Sequence, residues 1–243
     1  MEKTSKTRAT APSQRRRAGH ADEQIHSEIY TAIMNHQIRP ATPLPEDALA
    51  GAFRVSRTII RKVLQRLAHE KLVEIVPNKG ACVAKPTIDE ARQVFEARRG
   101  VECILAAKLA KSITGSEVAR LEALLKAEAA ALAANDKQRR LQLSGQFHKD
   151  LATMAGNSVM AEFVHELVSR TSLIIGIFGA QDMTDCRDHD HSRIVDAIRR
   201  RDAEEGARLM QEHLAQIKRD LDLSGRATNA LDLVSILKRQ GTS

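Results

Sequence analysis

The chain has 243 residues, 42% of them apolar, with no Trp, one Tyr, five Phe and a formal net charge of +7. That length admits one large domain or two modest ones, and an aromatic-poor composition rich in Ala, Leu, Glu, Lys and Arg predicts a mainly α fold. No apolar run approaches the roughly 18 residues of a membrane span, the basic N-terminus lacks a secretory h-region, and Cys82, Cys103 and Cys186 are too few and scattered for a disulfide framework, so a reduced, cytoplasmic setting is expected.

The charge is segregated. Residues 1–85 carry 15 Lys and Arg against 8 Asp and Glu, and the other 23 of each sign cancel. A basic first third joined to a neutral remainder is the electrostatic footprint of a nucleic-acid module on a neutral one. Residues 1–21, with Arg15-Arg16-Arg17 among Ser, Thr and Gln, read as a disordered basic tail. A first helix is expected over about Asp22–Asn35, with Ile25, Ile29, Ala32 and Ile33 on one face. Pro40, Pro43 and Pro45 forbid its continuation, and a short helix is predicted over Glu46–Phe53 with Leu49 inward.

The next helix has Ser56 as its N-cap and an apolar stripe of Ile60, Val63, Leu64 and Leu67 at i, i+3, i+4 and i+7. Its other side carries Arg57, Thr58, Arg61, Lys62 and Gln65, all hydrogen-bond donors. A donor-rich face that begins at a helix N-terminus suits entry into the major groove. The β-prone runs Leu72–Val76 and Ala81–Ala84 flank the turn residues Pro77-Asn78-Lys79-Gly80, which predicts a hairpin wing. Lys79 and the backbone near Gly80 are then placed to meet phosphate or the minor groove. Together these elements make a winged helix-turn-helix over 22–85.

The run LPEDALAGAFRVSRTIIRKVLQRLAHEKLVEIVPNKGACV resembles the N-terminal domain of GntR-family transcriptional regulators over residues 25–85. Its most specific part is the Ser56-Arg57-Thr58-x-x-Arg61 core. Ile59 departs from the family, in which Pro commonly follows Ser-Arg-Thr, and Pro40-Ala41 stands in place of the usual Pro-Gly.

Pro86 ends this module and Thr87 caps a long helix, with Asp89 and Glu90 in its first turn. Helices are expected at about 87–111, 115–134, 137–155, 157–178, 187–201 and 203–223, an antiparallel all-helical bundle of about six helices over 86–223. The segment 179–185 reads as a loop, and 224–243 as a C-terminal tail that either docks or frays.

Three helices of this bundle carry a histidine on an otherwise apolar face. His148 shares its face with Leu141, Ser144, Leu151 and Ala155; His191 with Ile194, Val195 and Ile198; His213 with Met210, Leu214, Ile217 and Leu221. One buried histidine is ordinarily a satisfied core residue, but three facing one core each need partners. A shared divalent metal satisfies them together through neutral imidazole. His20, His26, His36, His69, His165 and His189 lack this setting and are read as ordinary.

Residues 88–223 resemble the FCD ligand-binding domain of the FadR branch of the GntR family, on FEARRGVE, FHKDLATMAGN, HSRIVDAIRRRD and ARLMQEHL. The resemblance implies a metal held by His148, His191 and His213, with zinc first and nickel or manganese as alternatives. The family's Asp ligand falls at Ser144, so a water or the effector would complete the donor set. Asp150 is expected to point away from that face. The resemblance also makes Arg98 the inward arginine that pairs with a carboxylate effector, together with Ser144, while Arg99 faces solvent. Bidentate guanidinium–carboxylate geometry is the physical reason.

The reading is therefore a ligand-responsive transcriptional regulator, a repressor by family habit and not an enzyme. It would bind a pseudo-palindromic double-stranded DNA operator as a homodimer and respond to a small organic acid. A metal-dependent enzyme acting on such an acid is the alternative. It is disfavoured because His69-Glu70 and His165-Glu166 both lack the second histidine of His-Glu-x-x-His. An RNA-binding or architectural role is disfavoured by the neutral bundle and the lack of aromatic stacking platforms.

Overall fold

Ile60, Val63, Leu64 and Leu67 form one buried stripe on a helix, α3 (Arg57–His69), of the computed structural model. The structure describes residues 12–179 and 190–224, with side chains from Ala21 onward. Two units divide between Lys85 and Pro86.

In the first unit α1 (Pro12–Met34) and α2 (Glu46–Phe53) pack on α3, and α1 buries Ile25, Ile29 and Ile33. α1 begins ten residues before the predicted start, so part of the expected disordered tail is helical. Gln14-Arg15-Arg16-Arg17-Ala18 are good helix formers, and Pro12 occupies a first-turn position that has no hydrogen bond to lose. Residues 1–11 of that tail lie outside the described residues. Leu49 of α2 is only half-buried. α3 starts where Ser56 Oγ accepts from Ile59 N–H at 3.4 Å, a bond that the proline common at this position could not donate.

The wing is an antiparallel pair, β1 (Val73–Val76) and β2 (Gly80–Val83), with Val73 opposite Val83 and Val76 opposite Gly80. Asn78 (φ 62°) and Gly80 (φ 86°) adopt left-handed conformations that close the turn. The proline-rich segment before α2 has a second use. Ala41 N–H donates to Val83 O, Leu44 N–H to Ala81 O, and Val83 N–H to Thr42 O, with Pro43 bridged to Cys82. Prolines that forbid a helix here line an extended edge.

The second unit consists of α4 (Ile88–Ser112), α5 (Gly115–Ala133), α6 (Lys137–Met154), α7 (Ser158–Phe178), α8 (Asp190–Arg199) and α9 (Ala203–Arg219). Side-chain oxygens of Thr87, Thr114, Asp136, Asn157 and Asp202 cap α4, α5, α6, α7 and α9. α4 is central and packs on α6, α7, α8 and most extensively α9. Leu105, Leu109, Phe147, Leu151, Ile194, Ile198, Met210 and Leu214 are among the core. The last helix stops at Arg219, short of the predicted 223. Leu221 is buried instead by an extended pairing with Gly179, and Asp222 N–H donates to Phe178 O. The expected loop beyond Gly179, Cys186, and the tail from 225 lie outside the described residues. No described helix is long and apolar enough to cross a membrane.

Candidate nucleic-acid interface and metal centre

The face of α3 opposite its buried stripe exposes Arg57, Thr58, Arg61, Lys62 and Gln65, and the wing turn exposes Lys79 and Gly80. The sequence-predicted donors thus share one face of α3, and the wing pair lies at the hairpin tip. Sequence reasoning missed what holds the cations. Arg57 pairs with Asp47, and Arg61 donates from Nε and Nη2 to Glu46 at 3.0 and 2.7 Å. Lys62 pairs with Asp22, and Arg66 donates from Nη1 and Nη2 to Glu23 at 2.5 and 3.3 Å. Hydrogen bonds from Lys62, Arg66 and Arg61 hold the carboxyls of Asp22, Glu23 and Glu46 below their ordinary values. The available signal was Glu46 and Asp47 in the first turn of α2, the usual place for helix-stabilising acids.

In the second unit the three stripe histidines meet. His148, on α6, is 2% exposed; His191, on α8, 6%; His213, on α9, 2%. Their ligand atoms lie within 4.8 Å of one another. His213 Nε2 is 3.0 Å from His191 Nε2 and 3.3 Å from His148 Nε2, and Phe147 stacks on His191 at 4.1 Å.

Behind each imidazole stands a carboxylate from another helix or turn of the bundle. Glu102, on α4, accepts from His148 Nδ1 at 2.5 Å, and Glu128, on α5, from His191 Nδ1 at 2.8 Å. Asp190 Oδ2 faces His213 Nδ1 at 3.6 Å, too long for a hydrogen bond, and that nitrogen is otherwise unpartnered. A carboxylate at Nδ1 fixes the tautomer that carries its proton there and leaves the Nε2 lone pair free. Two bare lone pairs meeting a third nitrogen at these distances repel one another unless a proton or a cation lies between them. Burial pushes His148 down to about 4 and His213 down to about 3, which disfavours a second proton on either ring, so the single proton of a neutral His213 serves at most one of its two neighbours and a lone pair is left facing nitrogen. The donor set therefore fits a divalent cation.

Arg98, on α4, is 2% exposed, whereas Arg99 is exposed. Arg98 Nε donates to Glu102 at 2.6 Å, Nη1 reaches Thr171 of α7 at 3.4 Å, and Nη2 is buried without a partner. Burial would raise the Glu102 carboxyl, but the charge of Arg98 and the hydrogen bonds from His148 and Arg98 more than offset it and hold the group at about 2. Glu102 thus joins the arginine to the histidine cluster. Ser144 lies one turn before His148, half-buried, with no hydrogen bond to the cluster. Asp150 is committed elsewhere, to Arg120 at 3.0 and 3.2 Å and to Gln146 at 2.7 Å. Glu102, Glu128 and Asp190 were missed. Only Glu102 carried a signal, as a second charge one turn from Arg98 on the face of Phe95, Leu105 and Leu109.

Comparison with known proteins agrees with this division. Residues 21–83 match the bacterial regulatory proteins of the gntR family, and residues 93–216 match the FCD domain. The chain is 26% identical over 197 residues to the HTH-type transcriptional repressor RspR of Escherichia coli K12, covering 81% of this chain and 86% of that protein. It is 27% identical over 220 residues to the HTH-type transcriptional repressor NanR of Cronobacter sakazakii, covering 80% and 83%. Among solved structures, a GntR transcriptional regulator from Rhodococcus sp. RHA1 superposes with a TM-score of 0.73 at 20% identity, covering 85% of this chain and 98% of that one. E. coli McbR/YncC gives 0.70 at 15% identity, covering 90% and 98%. Both show a shared fold.

Proposed function

The chain belongs to the GntR family of bacterial regulatory proteins and carries an FCD domain, and we propose that it is a DNA-binding repressor whose helical domain binds a small organic acid beside a divalent metal. The observation that carries the reading is the convergence of three buried Nε2 atoms, joined through Glu102 to an arginine with an unpartnered Nη2. His148, His191 and His213 would hold the metal through Nε2, and its charge would favour an anionic effector. With neutral histidines, Glu102, Glu128, Asp190 and Arg98 leave two negative charges around the centre, which a divalent ion cancels. Zinc suits an all-imidazole donor set, with nickel and manganese as competitors. The Nη2 edge of Arg98 offers the acid a charge-assisted bond, and Ser144 would contribute a hydroxyl.

On the DNA side Arg57, Thr58 and Arg61 would read base edges and backbone, supported by Lys62, Gln65, Lys79 and Gly80. A homodimer acting in the cytoplasm would present two such helices to a pseudo-palindromic operator. Effector binding would shift the population of dimer conformations that fit the operator. The enzyme alternative finds no base among the described carboxylates beside the histidines: Glu102, Glu128 and Asp190 all face Nδ1 atoms, away from the point where the Nε2 atoms meet.

The test is a titration of metal-free protein with zinc, nickel and manganese, followed by a panel of small mono-, di- and hydroxycarboxylates, for wild type, His213→Ala and Arg98→Ala. Metal binding lost in His213→Ala, with carboxylate binding lost in Arg98→Ala, is the expected result. No metal uptake by wild type, or unchanged carboxylate affinity in Arg98→Ala, overturns the reading.

A further inference from the structure

All four Lys and Arg residues of α3 are paired, but not in the same way. Arg61 is held through Nε and Nη2 by Glu46, and Arg57 through Nε by Asp47. In both arginines the Nη1–Nη2 edge stays free, and both side chains are more than 60% exposed. Arg66 is the opposite case. Glu23 occupies its Nη1 and Nη2, and Glu70 approaches its Nε at 3.4 Å. Lys62 is paired with Asp22 of α1.

The free edge is the one that matters for reading DNA. A guanine presents O6 and N7 to two parallel N–H donors of one guanidinium edge. An arginine gripped from its Nε side offers that terminal edge in a fixed orientation, with fewer rotamers to lose on binding. A carboxylate close to the groove also repels phosphate, so a cation it holds gains less from a random duplex than a free one. We infer that Glu46 and Asp47, at the N-terminus of α2, are positioning residues that set the base specificity of Arg61 and Arg57. The acids of α1 cancel the charge of Lys62 and Arg66, which makes those two cations poor anchors on random DNA. The inference rests on the reading of Arg57 and Arg61 as base contacts.

The test selects binding sites from a pool of randomised duplexes with the full-length protein. Base preference at each position is compared for wild type, Arg61→Ala, Glu46→Gln and Glu46→Asp, with folding checked by thermal unfolding. Arg61→Ala should erase the preference at one position of each half-site. Glu46→Gln should weaken the preference at that same position about tenfold, within the range for one arginine–guanine contact, and Glu46→Asp should restore part of it. Affinity for a random duplex should hold or rise in Glu46→Gln. Should Glu46→Gln not fold, Asp47→Asn against Arg57→Ala repeats the comparison on a more exposed pair. The inference is overturned if the carboxylate variants scale all affinities by one factor, or relax a position that the arginine variant leaves intact. If Arg61→Ala itself leaves every base preference unchanged, the base-reading assignment fails first and the positioning role falls with it.

Discussion

Glu102 accepts from Arg98 and from His148 with its two oxygens, so one buried carboxylate orients both the buried arginine and an imidazole of the histidine cluster. Glu102→Gln should lower zinc affinity by about 10- to 100-fold, the usual cost of losing a carboxylate behind a ligating histidine; chelator competition measures it, and unchanged affinity would detach Glu102 from the centre. Titration of the metal-free protein gives a second expectation. His148 and His213 lie at about 4 and 3 when folded, below the ordinary histidine value of 6.5. The unfolded chain therefore binds more protons than the folded one between these values, so this contribution is complete above pH 6.5 and is lost as pH falls toward 4 and then 3. Urea midpoints should drop steeply from pH 6.5 to 4, and His148→Phe should flatten part of that slope. A pH-independent midpoint over this window would show that the two imidazoles are not buried as neutral groups.

Local rules account for the elements better than for their partners. The four-residue stripe and Ser56 cap of α3 were legible because both obey helix spacing within one short segment. The expected helix at about 115–134 is α5, and its cap, unread in the sequence, obeys an equally local rule: Thr114 and Glu117 form a reciprocal capping box. Thr114→Ala should cost about 0.5–2 kcal/mol, read from the urea midpoint, with no change in metal content. Histidines at core spacing were legible too, since a lone polar group on an apolar face is a visible exception. Their carboxylates were not: Glu128 looks like one more acid on a solvated helix, and Asp190, adjacent to His191 in sequence, faces His213 instead. Pairing across helices depends on packing angles that no single-segment period encodes. The edge formed by Ala41–Leu44 escaped for a related reason, because prolines announce what a segment cannot be more clearly than what it joins.

At the scale of the molecule, the basic first third is real in the sequence, but α3 contributes little free charge to it because its cations are matched. Long-range attraction to DNA then falls to residues outside α3, among them the exposed Lys79 at the wing tip. Lys79→Ala should weaken binding to operator and random duplex alike and reduce the salt slope by about 1. A loss confined to the operator would instead make Lys79 a base contact.

The bundle's chemistry is drawn from every helix it contains among the described residues. α4 supplies Arg98 and Glu102, α5 Glu128, α6 His148, α7 Thr171, α8 His191 and Asp190, and α9 His213. Such a centre works as a shared knot: no one helix can fray without loosening a tie held by the others. Occupancy should therefore be felt as cooperativity. A saturating ligand adds about 2.7 kcal/mol at a hundred times its dissociation constant, and amide exchange should slow across the whole bundle, not only beside the histidines.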